Sequence, residues 1–242
     1  MIMTGTIVNC CAVAAGGTIG LVFKKAIKEE YMKSINLTLG LAVLIIGLNG
    51  VVSYMIKSDD GVLSSSGELL LVCFLVIGTL IGELLKLESR FNHFSEKIES
   101  KFKKGGFASG FVNGTVLFCV GAMTIIGSVA DGLNHDPSIL YVKSALDFTG
   151  AIIFGASMGY GVIFSFIPML IYQGGITLLA GTLNNILQGD VLTQVCFTGY
   201  AIIMAIGLNF MLEKKFRTLN MLPSLLLPVI YHCILIFIDY IK

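Results

Sequence analysis

Within the stretch KSALD, Lys143 and Asp147 stand four residues apart, about two turns into an apolar run. On a helix those positions share a face, so an ammonium and a carboxylate can meet there. A charged side chain at the centre of a membrane helix costs roughly 2.5–3.5 kcal/mol on insertion scales, so such residues mark ion or proton paths by default. Asp147 would then be the anionic ligand of a cation path, with Ser144 beside it. The plainer alternative is a structural ion pair near an interface, Lys143 snorkelling to water.

A second constellation lies in LFCVGAMTIIGSVADGL, residues 117–133. Thr124, Ser128 and Asp131 follow one another at helical spacing and share one face. That face suits a permeation lining, with Asp131 concentrating cations at an outer mouth. It equally suits a helix contact in which hydroxyls hydrogen-bond across. A third, FSFIPMLIYQGGIT (164–177), holds Pro168, Gln173, Gly174 and Gly175. Proline and paired glycines loosen a helix, and a break at membrane depth frees carbonyls to line a cavity. A broken helix is expected there, with the Gln173 amide oxygen as a further ligand. Asn9 and Asn209 also fall inside apolar runs, where asparagine more often bonds another helix than an ion.

The donors in these sets are oxygen-rich and poor in sulfur and imidazole, which suits hard cations over copper or zinc. Carboxylates are too few for an all-protein divalent site. The six cysteines (Cys10, Cys11, Cys73, Cys119, Cys196, Cys233) lie in apolar runs without metal-site spacing, and read as small hydrophobes. There is no G-x-x-x-x-G-K-[ST], no H-E-x-x-H, no catalytic triad and no arginine-spaced span. The expectation is therefore no enzyme, no nucleotide, no nucleic acid and no transition metal. The only expected cofactor is Na⁺ or another monovalent cation, bound or transported.

The elements that must position these groups are membrane helices. Only 13% of the 242 residues are charged, against about 25% in soluble domains. Runs near 20 apolar residues, the length a span needs, cover 4–23, 35–56, 68–86, 107–130, 139–160, 162–186, 194–213 and 222–241. The apolar stretch 139–186 divides at SMGYGV (157–162), either into two spans or into one span and a re-entrant piece. Basic residues arbitrate, because they gather on the cytoplasmic side. Eight spans put every Lys and Arg inside except Lys57, Lys143 and Lys242. Both termini then lie outside, the basic loops lie in the cytoplasm, and the bacterial cytoplasmic membrane is the expected location. The loop 87–106 carries Phe91, Phe94, Ile98 and Phe102 at helical spacing, which predicts a cytoplasmic amphipathic helix between two halves of a single membrane domain, 1–242. The pairs Gly16/Gly20, Gly78/Gly82 and Gly155/Gly159 have the small-residue spacing of helix contacts, within one copy or between copies.

GTIVNC (5–10) resembles GTVLFC (114–119), and KSINLTLG (33–40) resembles KSALDFTG (143–150), at offsets of 109 and 110. Spans 1–2 would thus recur as spans 4–5 in opposite orientation, an inverted repeat of the kind secondary transporters use. IGELLKLESRF (81–91) also resembles IGLNFMLEKKF (206–216), but those spans share an orientation.

Over nearly its whole length, in LFCVGAMTIIGSVADGL, KSALD, GYGVIFSFIPMLIYQGG, AIGLN and NMLP, the chain resembles the YqgA/YdfK-like family of prokaryotic polytopic membrane proteins. Two positions depart from that pattern, Ala122 standing for proline and Phe148 for glycine. The family is sometimes labelled a candidate sodium channel or pump, so the resemblance implies ion movement. The expected fold is an all-α polytopic transmembrane bundle of about eight spans. The expected function is a channel or secondary transporter for Na⁺, K⁺ or H⁺. The alternatives are a structural or assembly membrane protein without transport, and a transporter of small organic solutes whose carboxylate meets Lys143. The expected partners are the lipid bilayer and a second copy of the chain, a dimer being favoured.

Overall fold

The computed structural model describes residues 3–24, 29–59, 62–93, 107–119, 122–183, 189–212 and 216–241. The fold is all-α, apart from one hairpin. Helices run in the order α1 (Thr4–Lys24), α2 (Glu29–Met55), α3 (Glu68–Leu84), α4 (Leu87–His93), α5 (Phe107–Cys119), α6 (Ala122–Asn134) and α7 (Ser138–Met158). There follow α8 (Gly161–Phe164), α9 (Phe166–Leu178), α10 (Ala180–Leu183), α11 (Gly189–Met211), α12 (Thr218–Met221), a 3₁₀ turn (Leu222–Leu225) and α13 (Leu227–Ile241). The hairpin joins α2 to α3: β1 (Ile56–Asp59) pairs antiparallel with β2 (Val62–Ser65), Lys57 opposite Ser64.

Five of these segments are long and apolar enough to cross a membrane: α1, α7, Gly161–Leu178, α11 and Thr218–Ile238. The count reaches seven if α3–α4, bent by 48°, and α5–α6, bent by 62°, are one span each. Eight would need α2 as well, whose apolar part Gly40–Met55 is shorter. The division of 139–186 falls at Gly159, where φ is +89°. Glycine adopts that backbone without the strain an L side chain would meet, so α7 ends there and a separate helix begins.

The chain forms two compact units, Met1–Thr38 with Arg90–Asn185, and Leu39–Ser89 with Ile186–Lys242. Helices α1, α5–α6 and α7 all belong to the first unit, while most of α2 belongs to the second.

In the first unit α1 and α7 lie parallel and touch along their backbones. A Cβ placed on Gly16 would meet the Phe148 carbonyl oxygen at 2.5 Å, one on Gly20 would fall onto that of Ile152, and one on Gly155 would meet that of Gly17 at 2.6 Å. Small residues thus remove the side-chain layer that normally keeps helices apart. Gly161–Leu178 runs antiparallel to α1, with Gly17 against Ile163 and Thr6 beside Thr177. The broken pair α5–α6 follows that same helix in one sense along its length. Gly110 packs on Gly161 and Val162, Gly114 on Ser165, and Gly132 on Thr177 and Ala180. A re-entrant loop would turn back; this chain advances, as one bent crossing does. Ala122 is the first residue of α6, so the bend is present without the proline of the family pattern.

In the second unit α2 is antiparallel to α11, with Gly40 against Phe210 and Gly50 against Tyr200. There α3 is antiparallel to the α12 region, Gly78 meeting Ser224 and Gly82 meeting Asn220. The glycine pairs 16/20 and 78/82 therefore pack within the chain. Of the amphipathic loop, Phe91 on α4 stacks against Phe111 at 5.4 Å. Its other apolar positions, Phe94, Ile98 and Phe102, lie outside the described residues.

Candidate functional site

Four of the sequence-derived candidates converge in the first unit. Asn9 comes from α1, Lys143 and Asp147 from α7, and Gln173 from α9. Asn9 has a short side chain, and it reaches α7 because the glycine stripe brings the two backbones together. Its Nδ2 donates to Asp147 Oδ2 at 2.9 Å and to Gln173 Oε1 at 3.3 Å, with Met169 Sδ at 3.6 Å. From the other side Lys143 Nζ pairs with the same Asp147 Oδ2, and donates to the Phe118 carbonyl at 2.8 Å. Phe118 is the penultimate residue of α5. The last four carbonyls of a helix have no intrahelical partner, which suits this oxygen to accept from the ammonium.

Asp147 is the tenth of the 21 residues of α7, about 14 Å from its first residue at 1.5 Å per residue. It sits mid-helix. Asn9 and Gln173 are completely buried, and the Lys143 and Asp147 side chains keep only 7% and 12% of their exposure. The interfacial, snorkelling version of the pair does not fit that burial. Two polar atoms of the cluster have no partner, Asn9 Oδ1 and Gln173 Nε2. A buried unpaired donor or acceptor costs about 1–3 kcal/mol, so this pocket of polarity retains unused bonding capacity for a water or an ion. Below it, Thr6 and Thr177 hydroxyls lie 3.5 Å apart, and Thr177 donates to the Gln173 carbonyl at 3.0 Å.

The remaining candidates do not join the cluster. Ser144 donates back to the Leu140 carbonyl and Ser128 to that of Thr124, each at 2.6 Å, while Thr124 approaches the Phe118 carbonyl at 3.5 Å. Thr124, Ser128 and Asp131 are fully buried. Their shared face is a helix contact, and Asp131 is a cap: its Oδ2 accepts the Gly5 N–H at 3.2 Å, at the positive end of α1. Asn209 is a staple in the second unit, donating to the Phe216 carbonyl at 2.9 Å and accepting its N–H at 2.6 Å. The helix break expected over 164–177 is also different. The chain offsets at Ser165, Pro168 sits in the first turn of α9 where no helical N–H is needed, and α9 continues through Gly174 and Gly175. Thr6, Met169, Thr177 and the Phe118 carbonyl were missed. The spacing Gln173–Thr177 was a readable signal, whereas a main-chain oxygen leaves none.

The family model described as "Protein of unknown function (DUF554)" matches residues 4–233. The chain belongs to the DUF554 family. It is similar to the "Uncharacterized membrane protein YdfK" of Bacillus subtilis (strain 168), 33% identical over 226 residues, covering 93% of this chain and 94% of the relative. It is also similar to the "Uncharacterized protein YqgA" of Escherichia coli (strain K12), 31% identical over 232 residues, with 93% and 94% covered. No solved structure matches the chain. This DUF554 chain is thus a membrane protein, and its buried cluster offers a carboxylate, two amides and an ammonium within one helical unit. Among the described residues, no three His, Cys, Asp or Glu side chains converge as a metal site would require.

Proposed function

We propose that this DUF554 protein is a channel or secondary transporter for a small monovalent cation, Na⁺, K⁺ or H⁺, with Asp147 as the anionic ligand. The observation that carries this reading is the mid-helix Lys143–Asp147 pair, buried against Asn9 and Gln173 whose free amide atoms remain unused. A purely structural pair would be expected to close its hydrogen bonds, because each open one lowers stability. Helix ends created by broken spans supply carbonyls to such sites in transporters, and the Phe118 carbonyl bonded to Lys143 supports the same role here. Asn9 and Gln173 serve as neutral amide ligands. Neither catalysis nor a resident transition metal enters this reading. Purified protein in liposomes tests it: flux of one of the three ions, lost in Asp147→Asn, is the expected result. No flux of any, with the variant indistinguishable from wild type, would refute it.

A second reading is a structural or assembly membrane protein whose polar groups join helices. It is favoured by the local satisfaction of Ser128, Ser144 and Asn209. It predicts co-purifying partners and no flux.

A further inference from the structure

We propose that Lys143 is a tethered counter-cation which the transported cation must displace from Asp147, and that the Phe118 carbonyl holds the ammonium while it is displaced. This rests on the cation-transport reading above and adds a defined competitor to it.

Lys143 and Asp147 form a neutral pair, so a second cation cannot occupy Asp147 Oδ2 on equal terms while the ammonium is there. Lys143 nevertheless has two partners on two different elements, and only one of them is the carboxylate. The other, Phe118 O, is a helix-end carbonyl at the negative pole of α5, which favours a positive charge independently of Asp147. Withdrawal from the carboxylate therefore leaves the ammonium bonded.

The vacated position would be rich in oxygen. Gln173 Oε1 already faces the Asn9 amide at 3.3 Å, and Asn9 holds Asp147 at 2.9 Å through the same nitrogen. Turning the Asn9 amide over by 180° exchanges its Nδ2 for the partnerless Oδ1. A carboxylate and two amide oxygens would then face a single cation, a hard set suited to Na⁺, Li⁺ or K⁺. Lys143 and the cation thus compete for one ligand, and each weakens the other's hold.

Thermal unfolding of the purified full chain tests this, with NaCl, LiCl or KCl compared against choline chloride at equal ionic strength. Lys143→Gln is expected to be stabilised by at least one small cation, at a half-maximal concentration on the order of tenfold or more below that of wild type. Lys143→Gln/Asp147→Asn should lose the response. Lys143→Arg keeps a charge that binds carboxylate in two-pronged fashion, so it should raise the cation concentration needed for half-maximal flux. That arm decides the matter if Lys143→Gln does not fold. A Lys143→Gln protein no more responsive to small cations than to choline, or a Lys143→Arg protein with unchanged concentration dependence, overturns the displacement. If wild-type flux persists in either case, the transport reading survives; if wild-type flux is absent, that reading fails instead.

Discussion

The Lys143–Asp147 pair allows a double-mutant cycle whose outcome follows from burial. Replacing Asp147 by Asn leaves an ammonium at 7% exposure with one carbonyl partner. Replacing Lys143 by Met leaves a carboxylate at 12% exposure with one amide partner. Breaking a buried pair from either side costs about 3–5 kcal/mol. Removing both charges at once, as in Lys143→Met/Asp147→Leu, is close to neutral in buried sites. Here it also forfeits the Asn9–Asp147 hydrogen bond and the one from Lys143 to the Phe118 carbonyl, about 1 kcal/mol each, while Asn9 keeps Gln173. At roughly 2–4 °C per kcal/mol for a chain of this size, each single variant should melt about 6–20 °C below wild type. The double variant should fall about 4–8 °C below it, well short of the sum of the two single losses. The assay is thermal unfolding in detergent with choline as the only salt cation, so that no small ion rescues Asp147. Losses that simply add, or single variants within about 2 °C of wild type, would refute the claim that these charges are buried against each other.

Other positions separate packing from function. Gly20→Ala should force α1 off α7, since its Cβ would meet the Ile152 carbonyl, and should unfold the protein or abolish its expression. Gly175→Ala meets nothing within 4 Å, and should stabilise α9 by up to about 1 kcal/mol on the helix-propensity difference, seen as a raised Tm. Asp131→Asn keeps an acceptor for the Gly5 N–H, so liposome flux should stay at the wild-type level; a large loss would restore Asp131 to the ion path. Asn209→Ala removes both bonds to Phe216 and should lower stability by about 1–2 kcal/mol, with flux per folded molecule unchanged.

The helical architecture was legible because the apolar length of a span follows directly from the bilayer's thickness. The i,i+4 spacing of Lys143 and Asp147 likewise announced their pairing. What could not be read was which polar faces meet. Ser128 and Asp147 carry similar warnings in one dimension, yet one bonds its own helix and the other collects partners from α1 and α7. Serine and threonine can always satisfy themselves on the carbonyl four residues back, so their presence on an apolar helix says little. Pro168 misled for a related reason: proline breaks a helix interior but fits its first turn, and only the start of α9 at Phe166 distinguishes the two. The bend between α5 and α6 carries no proline at its α6 start, where Ala122 stands. The hairpin was overlooked too, although Asp60-Gly61 between Ile56–Asp59 and Val62–Ser65 is the turn pair that short hairpins prefer.

An experimental density map of the protein in sodium and in choline, clear enough to show ordered water, would test the cluster itself. Non-protein density bonded to Asn9 Oδ1 or Gln173 Nε2 beside Asp147, changing between the two salts, is the expected result. A dry contact with both atoms still unpaired and identical in the two conditions would contradict it.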